Sequence, residues 1–207
     1  MITLYTIRHA QSVDNLEGRI SGQSDPSLSP LGVRQAEAVA RRLGSVELDA
    51  LYSSDLIRAV KTVEPLAAAL RLTVKTTGLL REAHMGRAQG LTRAELEALF
   101  PEETRAWRDD PVRCRPPGGE LVASVIGRCR VFVDELLSEW PDGAAVAAAV
   151  HQGSLRGLIC AVLELPAEFY TKFYAENASV SAIRIGARPC LSMLNDVCHL
   201  EPIRPGD

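Results

Sequence analysis

The sequence predicts an α/β protein with three layers (α/β/α), in which helices cover both faces of a mostly parallel central sheet. Three short apolar runs, at 2–7, 48–52 and 144–150, have strand character, and each ends at polar residues before a helical pattern begins. Parallel strands that are buried on both faces appear as nearly continuous apolar runs of this kind. With no internal repeat and no linker in its 207 residues, the chain is expected to form a single domain spanning 1–207.

Helical patterns fill the intervals between these runs. Ser29 followed by Pro30 is typical of a helix N-terminus, and the apolar residues after it share one face. Asp55 is expected to cap the next helix, in which Pro65 should produce a kink or end the first part. Further helices are expected at 120–140 and 154–163, and further strands at 72–76, 180–185 and 190–197.

The stretch from 86 to 119 departs from this alternation. It contains two short helical patterns, at 93–100 and 102–108, and then a segment rich in proline and glycine. We expect it to be an excursion that passes over the sheet and returns to the core at Glu120. Excursions of this kind often cover a binding site.

Composition and charge argue against several classes of protein. The 23 basic and 26 acidic residues give a net charge of -3, so a broad nucleic-acid-binding face is not expected. No signal peptide or membrane-spanning run is recognisable, and no membrane partner is expected. The five cysteines are never spaced as C-x-x-C, which indicates neither a disulfide framework nor a zinc site and favours a cytoplasmic location.

Basic residues follow the three strand runs and should meet at one edge of the sheet. Ligands of open α/β sheets bind beyond the carboxyl ends of the strands. This rule brings Arg8 and His9 together with Arg58 and His151, beside Asn15. Since guanidinium groups bind phosphate oxygens two at a time, the combination suits a tetrahedral anion.

These residue types also suit transfer of a phosphoryl group. Neighbouring guanidinium charges should keep one histidine unprotonated and nucleophilic, and Glu82 is the best-placed acid to protonate a leaving alkoxide. Each residue has an alternative interpretation when taken alone. The pair Arg8-His9 could belong to a surface turn, Arg58 to a solvated helix face, Glu82 to a cap or salt bridge, and His151 to the core.

Six motifs, in chain order, resemble those of the histidine phosphatase (phosphoglycerate mutase-like) superfamily over nearly the whole chain. They are Arg8-His9-Ala10-Gln11-Ser12 with Asn15; Gly18 to Asp25 with Leu28-Ser29-Pro30-Leu31-Gly32 and Gln35-Ala36; Ser54-Asp55-Leu56-Ile57-Arg58-Ala59 with Thr62; Leu80-Arg81-Glu82 with Gly86 and Gly90; Pro116-Pro117-Gly118-Gly119-Glu120; and Val150-His151-Gln152-Gly153 with Arg156.

The resemblance implies a phosphoglycerate mutase-like fold and a role for each matching residue. His9 would be the nucleophile that becomes phosphorylated, and Glu82 the general acid that later activates water. Arg8, Arg58 and His151 would hold the phosphoryl oxygens, so no metal or other cofactor is implied. Substrate-binding roles are implied for Asn15, Ser21, Gly22 and Gln152.

Four positions depart from the family pattern without removing a catalytic group. Ala10 replaces a usual glycine, Gln11 a usual acid, Gln89 a frequent glutamate, and Gln152 the second residue of a common H-G-G. We therefore expect activity to survive, with altered substrate contacts. His84 is compatible either with a hydrogen bond within its loop or with a contact to substrate.

The expected activity is metal-independent hydrolysis of a small phosphorylated metabolite through a phosphohistidine. The alternative is a phosphoglycerate mutase, which is longer; here Pro117-Gly118-Gly119 runs directly into Glu120, which leaves no room for the mutase insertion and lid. A site without that lid admits water. A phosphate-binding module without turnover is a third alternative. Arginines at 87–115 could bind a second anionic group of the substrate. The sequence identifies neither the substrate nor the oligomeric state, for which a homodimer is one candidate.

Overall fold

The chain is organised around one six-stranded sheet in a computed structural model that describes residues 1–203. The strands are β1 (Ile2–Arg8), β2 (Ala50–Ser54), β3 (Val74–Thr77), β4 (Ala145–Val150), β5 (Val180–Ile185) and β6 (Cys190–Asp196). Their order is β3-β2-β4-β1-β5-β6. The first four in this order are parallel, while β5 is antiparallel to both β1 and β6. The predicted, mostly parallel sheet is therefore confirmed.

Helices cover both faces of the sheet. They are α1 (Val13–Glu17), α2 (Pro30–Leu43), α3 (Ile57–Leu70), α4 (Arg93–Leu99), α5 (Pro101–Asp109), α6 (Val122–Glu139) and α7 (Gln152–Leu163). None of the helices in the described part of the chain has the length and apolar character needed to cross a membrane.

The central strand β4 explains how an apolar run produces three layers. Ala147 lies in one buried cluster with Val63 of α3, whereas Ala148 lies in another with Leu158 of α7. Because successive side chains of a strand point to opposite faces, a strand covered on both sides must be apolar at every position. The α/β/α architecture expected from the sequence is thus confirmed.

One local prediction was wrong, and one of the two outcomes expected at Pro65 does not occur. Asp55 does not cap α3; it forms an ion pair with Arg81, with oxygen to nitrogen distances of 2.7 and 2.6 Å. The carboxylate of Asp25, remote in sequence, accepts the N–H of Ile57 instead, at 2.7 Å. Pro65 does not end the helix, because α3 runs without interruption from Ile57 to Leu70.

Element boundaries also differ slightly from the expected ones. The second strand begins and ends two residues later than the apolar run at 48–52, because Ser53 and Ser54 continue its parallel pairing with β3. The short helix α1, capped by the Ser12 hydroxyl, was not predicted.

We call residues 86–119 the cover segment. Its two ends are tied together: the Arg87 N–H donates to the Pro117 carbonyl at 2.8 Å. Gly86 has a φ of +53°, and a Cβ there would lie 2.3 Å from the Pro117 oxygen, so only glycine fits this crossing. The helices α4 and α5 lie between these ends, as the helical patterns predicted.

Candidate active site

Two adjacent parallel strands bring two histidines to one edge of the sheet. Arg8 of β1 pairs with Val150 of β4, so the residues that follow, His9 and His151, emerge side by side. Their ring centroids are 4.9 Å apart, and both side chains are buried. The geometry expected from the strand ends is what the structure contains.

A backbone hydrogen bond sets the tautomer of His9. Its Nδ1 lies 2.8 Å from the Ala10 carbonyl oxygen. Since a carbonyl can only accept, Nδ1 carries the proton and Nε2 keeps its lone pair. The Ala10 N–H in turn donates to the Thr62 hydroxyl at 2.8 Å, which holds this turn of the chain against α3.

Burial keeps His9 neutral. It lowers the pKa of the imidazole well below its usual value, and the charges of Arg58 and Arg8 lower the pKa further. The expectation of an unprotonated histidine is confirmed, although burial is a larger cause than the guanidinium groups that motivated it. A neutral imidazole with a free Nε2 is competent as a nucleophile.

His151 offers two ring nitrogens to a ligand. Neither Nδ1 nor Nε2 hydrogen-bonds to any of the described residues, while the backbone N–H donates to the Ser154 hydroxyl at 2.9 Å. Burial, followed by the charge of Arg58, holds its pKa well below the usual value. This imidazole is therefore neutral as well, with an N–H available as a donor.

Arg58, in the first turn of α3, is fully buried. Its terminal nitrogens donate to the carbonyl oxygens of Ser24 at 2.7 Å and Gly22 at 2.6 Å. Burial lowers the pKa of the guanidinium from its usual value, yet arginine keeps its charge in proteins. Its Nε has no partner among the described residues, and neither has the buried hydroxyl of Ser21.

Arg8 is held by the segment before β5 and by α7. Its Nη1 donates to the Ala175 carbonyl at 2.6 Å and to Oε1 of Gln152 at 3.3 Å. The amide of Gln152 also donates to the Phe173 carbonyl at 3.2 Å. The structure thus places Gln152 against Arg8, whose Nε has no partner in residues 1–203. Buried polar atoms are nearly always paired, so these free donors suit an anion.

The carboxylate of Glu82 reaches the beginning of α7. Its Oε1 accepts the N–H groups of Gly153 at 2.9 Å and Ala83 at 2.8 Å. A Cβ at Gly153 would lie only 2.0 Å from that oxygen. Glycine at this position therefore allows Glu82 to approach the edge of the sheet where the histidines lie.

Residues before the antiparallel strand β5 complete the site, and the sequence analysis missed them. Asn177 donates to the His9 carbonyl at 2.9 Å and to Oδ1 of Asn15 at 3.1 Å. The Ala178 N–H donates to the carbonyls of Arg8 at 2.9 Å and His9 at 3.2 Å. The order of motifs gave no sign of them, but an antiparallel strand beside β1 necessarily begins at this edge.

Some arginines of the cover segment are paired with carboxylates in the structure, and others are not. Salt bridges join Arg87 to Glu103, Arg108 to Glu97, and Arg113 to both Asp110 and Glu168. Arg93, Arg105 and Arg115 form no salt bridge with other described residues. His84 makes the hydrogen bond within its loop, accepting the Gly86 N–H at Nδ1 over 3.1 Å.

Comparison with known proteins agrees with this geometry. The model of the histidine phosphatase superfamily (branch 1) matches residues 4–196. The chain is 34% identical to phosphoserine phosphatase 1 of Hydrogenobacter thermophilus, over 97% of this chain and 95% of the relative. It is 32% identical to a probable phosphoglycerate mutase of Yersinia pestis, over 97% and 96% of the two chains. Among solved structures, a mycobacterial glucosyl-3-phosphoglycerate phosphatase in complex with VO3 superimposes with a TM-score of 0.87 and 35% identity, over 94% of this chain and 99% of that one.

Proposed function

We propose that His9 is the nucleophile of this protein, which belongs to the histidine phosphatase superfamily (branch 1) and hydrolyses phosphomonoesters. The enzyme is a phosphoric monoester hydrolase that acts through a phosphohistidine. The observation that carries the assignment to His9 is the hydrogen bond from its Nδ1 to the Ala10 carbonyl. It leaves the lone pair on Nε2, beside the ring of His151 and close enough to the guanidinium groups of Arg58 and Arg8 for their charges to lower the pKa of His9.

The first half of the reaction forms a bond from His9 Nε2 to phosphorus and breaks the bond to the ester oxygen. Arg8, Arg58 and His151 bind the phosphoryl oxygens, and the charges of the two arginines and the N–H groups of all three residues stabilise the transition state. Glu82, as the carboxylic acid, gives its proton to the leaving oxygen. The alcohol then departs, and the phosphoryl group remains on His9.

The second half returns the enzyme to its starting state. Glu82, now a carboxylate that accepts the Gly153 N–H, takes a proton from a water molecule whose oxygen attacks the phosphorus. The bond from phosphorus to Nε2 breaks, inorganic phosphate leaves, and Glu82 is protonated again. The same carboxyl group thus acts first as an acid and then as a base.

Substrate binding is proposed for Asn15, Ser21, Gly22 and Gln152, through different kinds of contact. Ser21 has a free buried hydroxyl that suits a phosphoryl oxygen. Gly22 and Gln152 act through the arginines they hold, by a carbonyl on Arg58 and an amide on Arg8. Asn15 binds Asn177 through Oδ1, which leaves its amide nitrogen for the phosphoryl group.

The substrate is a small phosphorylated metabolite, the class to which the names of the relatives refer.

A mutase is less supported. The cover segment runs directly into α6, with the Glu120 N–H on the His84 carbonyl at 2.7 Å, which leaves no room for the mutase insertion and its lid and favours transfer to water. We propose a single domain with 86–119 as its cover, and a cytoplasmic location, which five unpaired cysteines favour.

The test is hydrolysis of a panel of phosphomonoesters that includes p-nitrophenyl phosphate, by wild type and by His9→Ala. We expect wild type to release inorganic phosphate and the variant to release none above background. Conversion of 3-phosphoglycerate into 2-phosphoglycerate without free phosphate would favour the mutase. Hydrolysis retained by His9→Ala would contradict the assignment.

A further inference from the structure

The position of Glu82 indicates where the leaving group lies. In a phosphoryl transfer the attacking and leaving atoms are roughly in line on opposite sides of phosphorus, so the leaving group must extend from the phosphate toward the acid that protonates it. Glu82 lines a cavity of about 210 Å³, together with Gly153 and Tyr170. A second, polar cavity beside Gln11 and Asn177 does not include Glu82, so it is not the leaving-group cavity.

This cavity adjoins a larger one beneath the cover segment. The larger cavity has a volume of about 550 Å³ and is lined by residues of α4 and α5, among them Leu96 and Thr104. The two cavities have walls in common, formed by Met85, Trp107, Pro111 and Arg156. Most of this common wall is apolar, and Trp107 offers a flat surface on which an extended group can pack.

Arg156 is the cation at the junction of the two cavities. Its Nε donates to the Phe173 carbonyl at 2.7 Å, and its guanidinium carbon lies 5.8 Å from the centre of the Tyr170 ring. Its terminal nitrogens make no hydrogen bond or salt bridge to residues 1–203. Arg108, which also lines the larger cavity, is by contrast neutralised by Glu97 at 3.2 Å.

The free end of Arg156 matches a carboxylate. Its two terminal nitrogens form a fork that can bind both carboxylate oxygens at once. A second phosphate group would need more positive charge than this junction provides, because Arg108 is already paired and Glu82 and Glu97 line the same cavities. Arg93, which has no salt bridge to the described residues, lines the larger cavity but does not line the cavity of Glu82.

We propose that the enzyme selects phosphomonoesters with an extended, acidic leaving group, in which a carboxylate binds Arg156 and the remainder packs along Trp107 into the cavity of the cover segment. The inference rests on the proposed function, because Glu82 as the acid determines the direction of the leaving group. Arg156, Trp107 and the lining of the larger cavity are then the residues that determine specificity.

The test compares kcat/KM for five esters: the phosphates of glycolic acid and phenyllactic acid, the carboxyl methyl ester of each, and p-nitrophenyl phosphate. Wild type should prefer the phenyllactic acid phosphate over its methyl ester, and over the glycolic acid phosphate, by about tenfold or more in each comparison. The first ratio measures recognition of the carboxylate, and the second measures use of the larger cavity.

Each ratio has a variant and a matched control. Arg156→Gln should reduce the ratio of acid to methyl ester about tenfold, and Arg156→Lys should restore part of it, while Arg105→Gln, an exposed arginine of α5 outside both cavities, should leave it unchanged. Thr104→Phe, which fills the larger cavity, should reduce the ratio of long to short substrate by a similar factor. Ala106→Phe places the same ring on the exposed side of α5 and should not. Because each ratio is measured within one protein sample, partial unfolding of a variant does not alter it.

Two failures are distinguishable. If wild type hydrolyses p-nitrophenyl phosphate but shows neither preference, or if both preferences persist in Arg156→Gln and Thr104→Phe, the inference is wrong and the proposed function stands. If wild type hydrolyses none of the five esters, the proposed function itself is wrong.

Discussion

The carboxylate of Glu82 accepts the backbone N–H of Gly153 at 2.9 Å. This contact joins the loop after β3 to the beginning of α7, which follows directly on His151. It brings the proposed acid to the sheet edge that holds the proposed nucleophile, and it requires a residue without a side chain at position 153, since a Cβ would lie 2.0 Å from the carboxylate oxygen.

Gly153→Ala should therefore displace Glu82 and reduce kcat for alkyl phosphates by about a hundredfold, the lower range for loss of a general acid. Affinity for inorganic phosphate, measured by competitive inhibition, should change little because the arginines stay in place. Gly127→Ala in α6 is the matched control, since a Cβ there meets nothing within 4 Å. Full activity in Gly153→Ala would show that the contact has no catalytic role.

Glu82→Gln separates acid catalysis from binding. The amide keeps the size of the side chain but cannot donate the acidic proton, so an alkyl phosphate with a poor leaving group should lose about a hundredfold or more in kcat. p-Nitrophenyl phosphate, whose leaving group departs without protonation, should lose much less. Equal losses on both substrates would rule out Glu82 as the acid for the leaving group.

The neutrality of His9 predicts how the reaction responds to acid. Because its pKa is held well below the usual value by burial and by Arg58, the imidazole stays unprotonated as the pH falls through the ordinary histidine range. Between about pH 7 and about pH 6, kcat/KM should show no loss that arises from this group. An NMR titration of the His9 ring with a midpoint in that range would contradict the account.

The lowered pKa values of His9 and His151 predict the sign of the pH dependence of stability. Their folded pKa values lie below the unfolded value, so at acidic pH the unfolded chain binds more protons than the folded one. The free energy of unfolding should therefore decrease as the pH falls below about 6.5. Denaturant titrations at several pH values measure this slope, which should be shallower in His151→Gln and unchanged in a control such as Lys61→Gln, an exposed residue of α3.

Asn177 tests whether the segment before β5 positions the nucleophile. It donates to the carbonyl of His9 and to Oδ1 of Asn15, so Asn177→Ala should lower kcat/KM by about tenfold through two lost hydrogen bonds. Asn177→Asp keeps the shape of the side chain but places a carboxylate oxygen, which can only accept, against the His9 carbonyl and Oδ1 of Asn15, which also accept. It should therefore be the more damaging change. The reverse order of the two variants would show that the hydrogen bonds do not matter.

Much of the fold was predictable because the signals were local. The apolar run that became β4 needs no partner to be recognised as a strand covered on both faces, and Ser29-Pro30 is a helix start by itself. The end of β2 and the start of α3 were not predictable to the residue, because they depend on pairing with β3 and on Asp25, which lies 32 positions from the N–H it binds.

The site residues that follow the carboxyl ends of parallel strands could be predicted from the sequence, whereas the other site residues could not. Arg8, His9 and His151 follow from that rule alone. Asn177 and Ala178 precede an antiparallel strand, so a search restricted to carboxyl ends passes over them. The contact between Glu82 and Gly153 depends on a close approach between segments 71 positions apart, for which a single sequence offers no local sign.

The central claim is that the phosphoryl group passes through His9, and trapping that intermediate tests it most directly. Wild type should be mixed with a ³²P-labelled phosphomonoester, quenched in alkali during turnover and digested for peptide mapping. We predict label that is stable in alkali and labile in acid on the peptide that contains His9, and none in His9→Ala. Label on His151 instead, or turnover by wild type with no label on any histidine, would contradict the account.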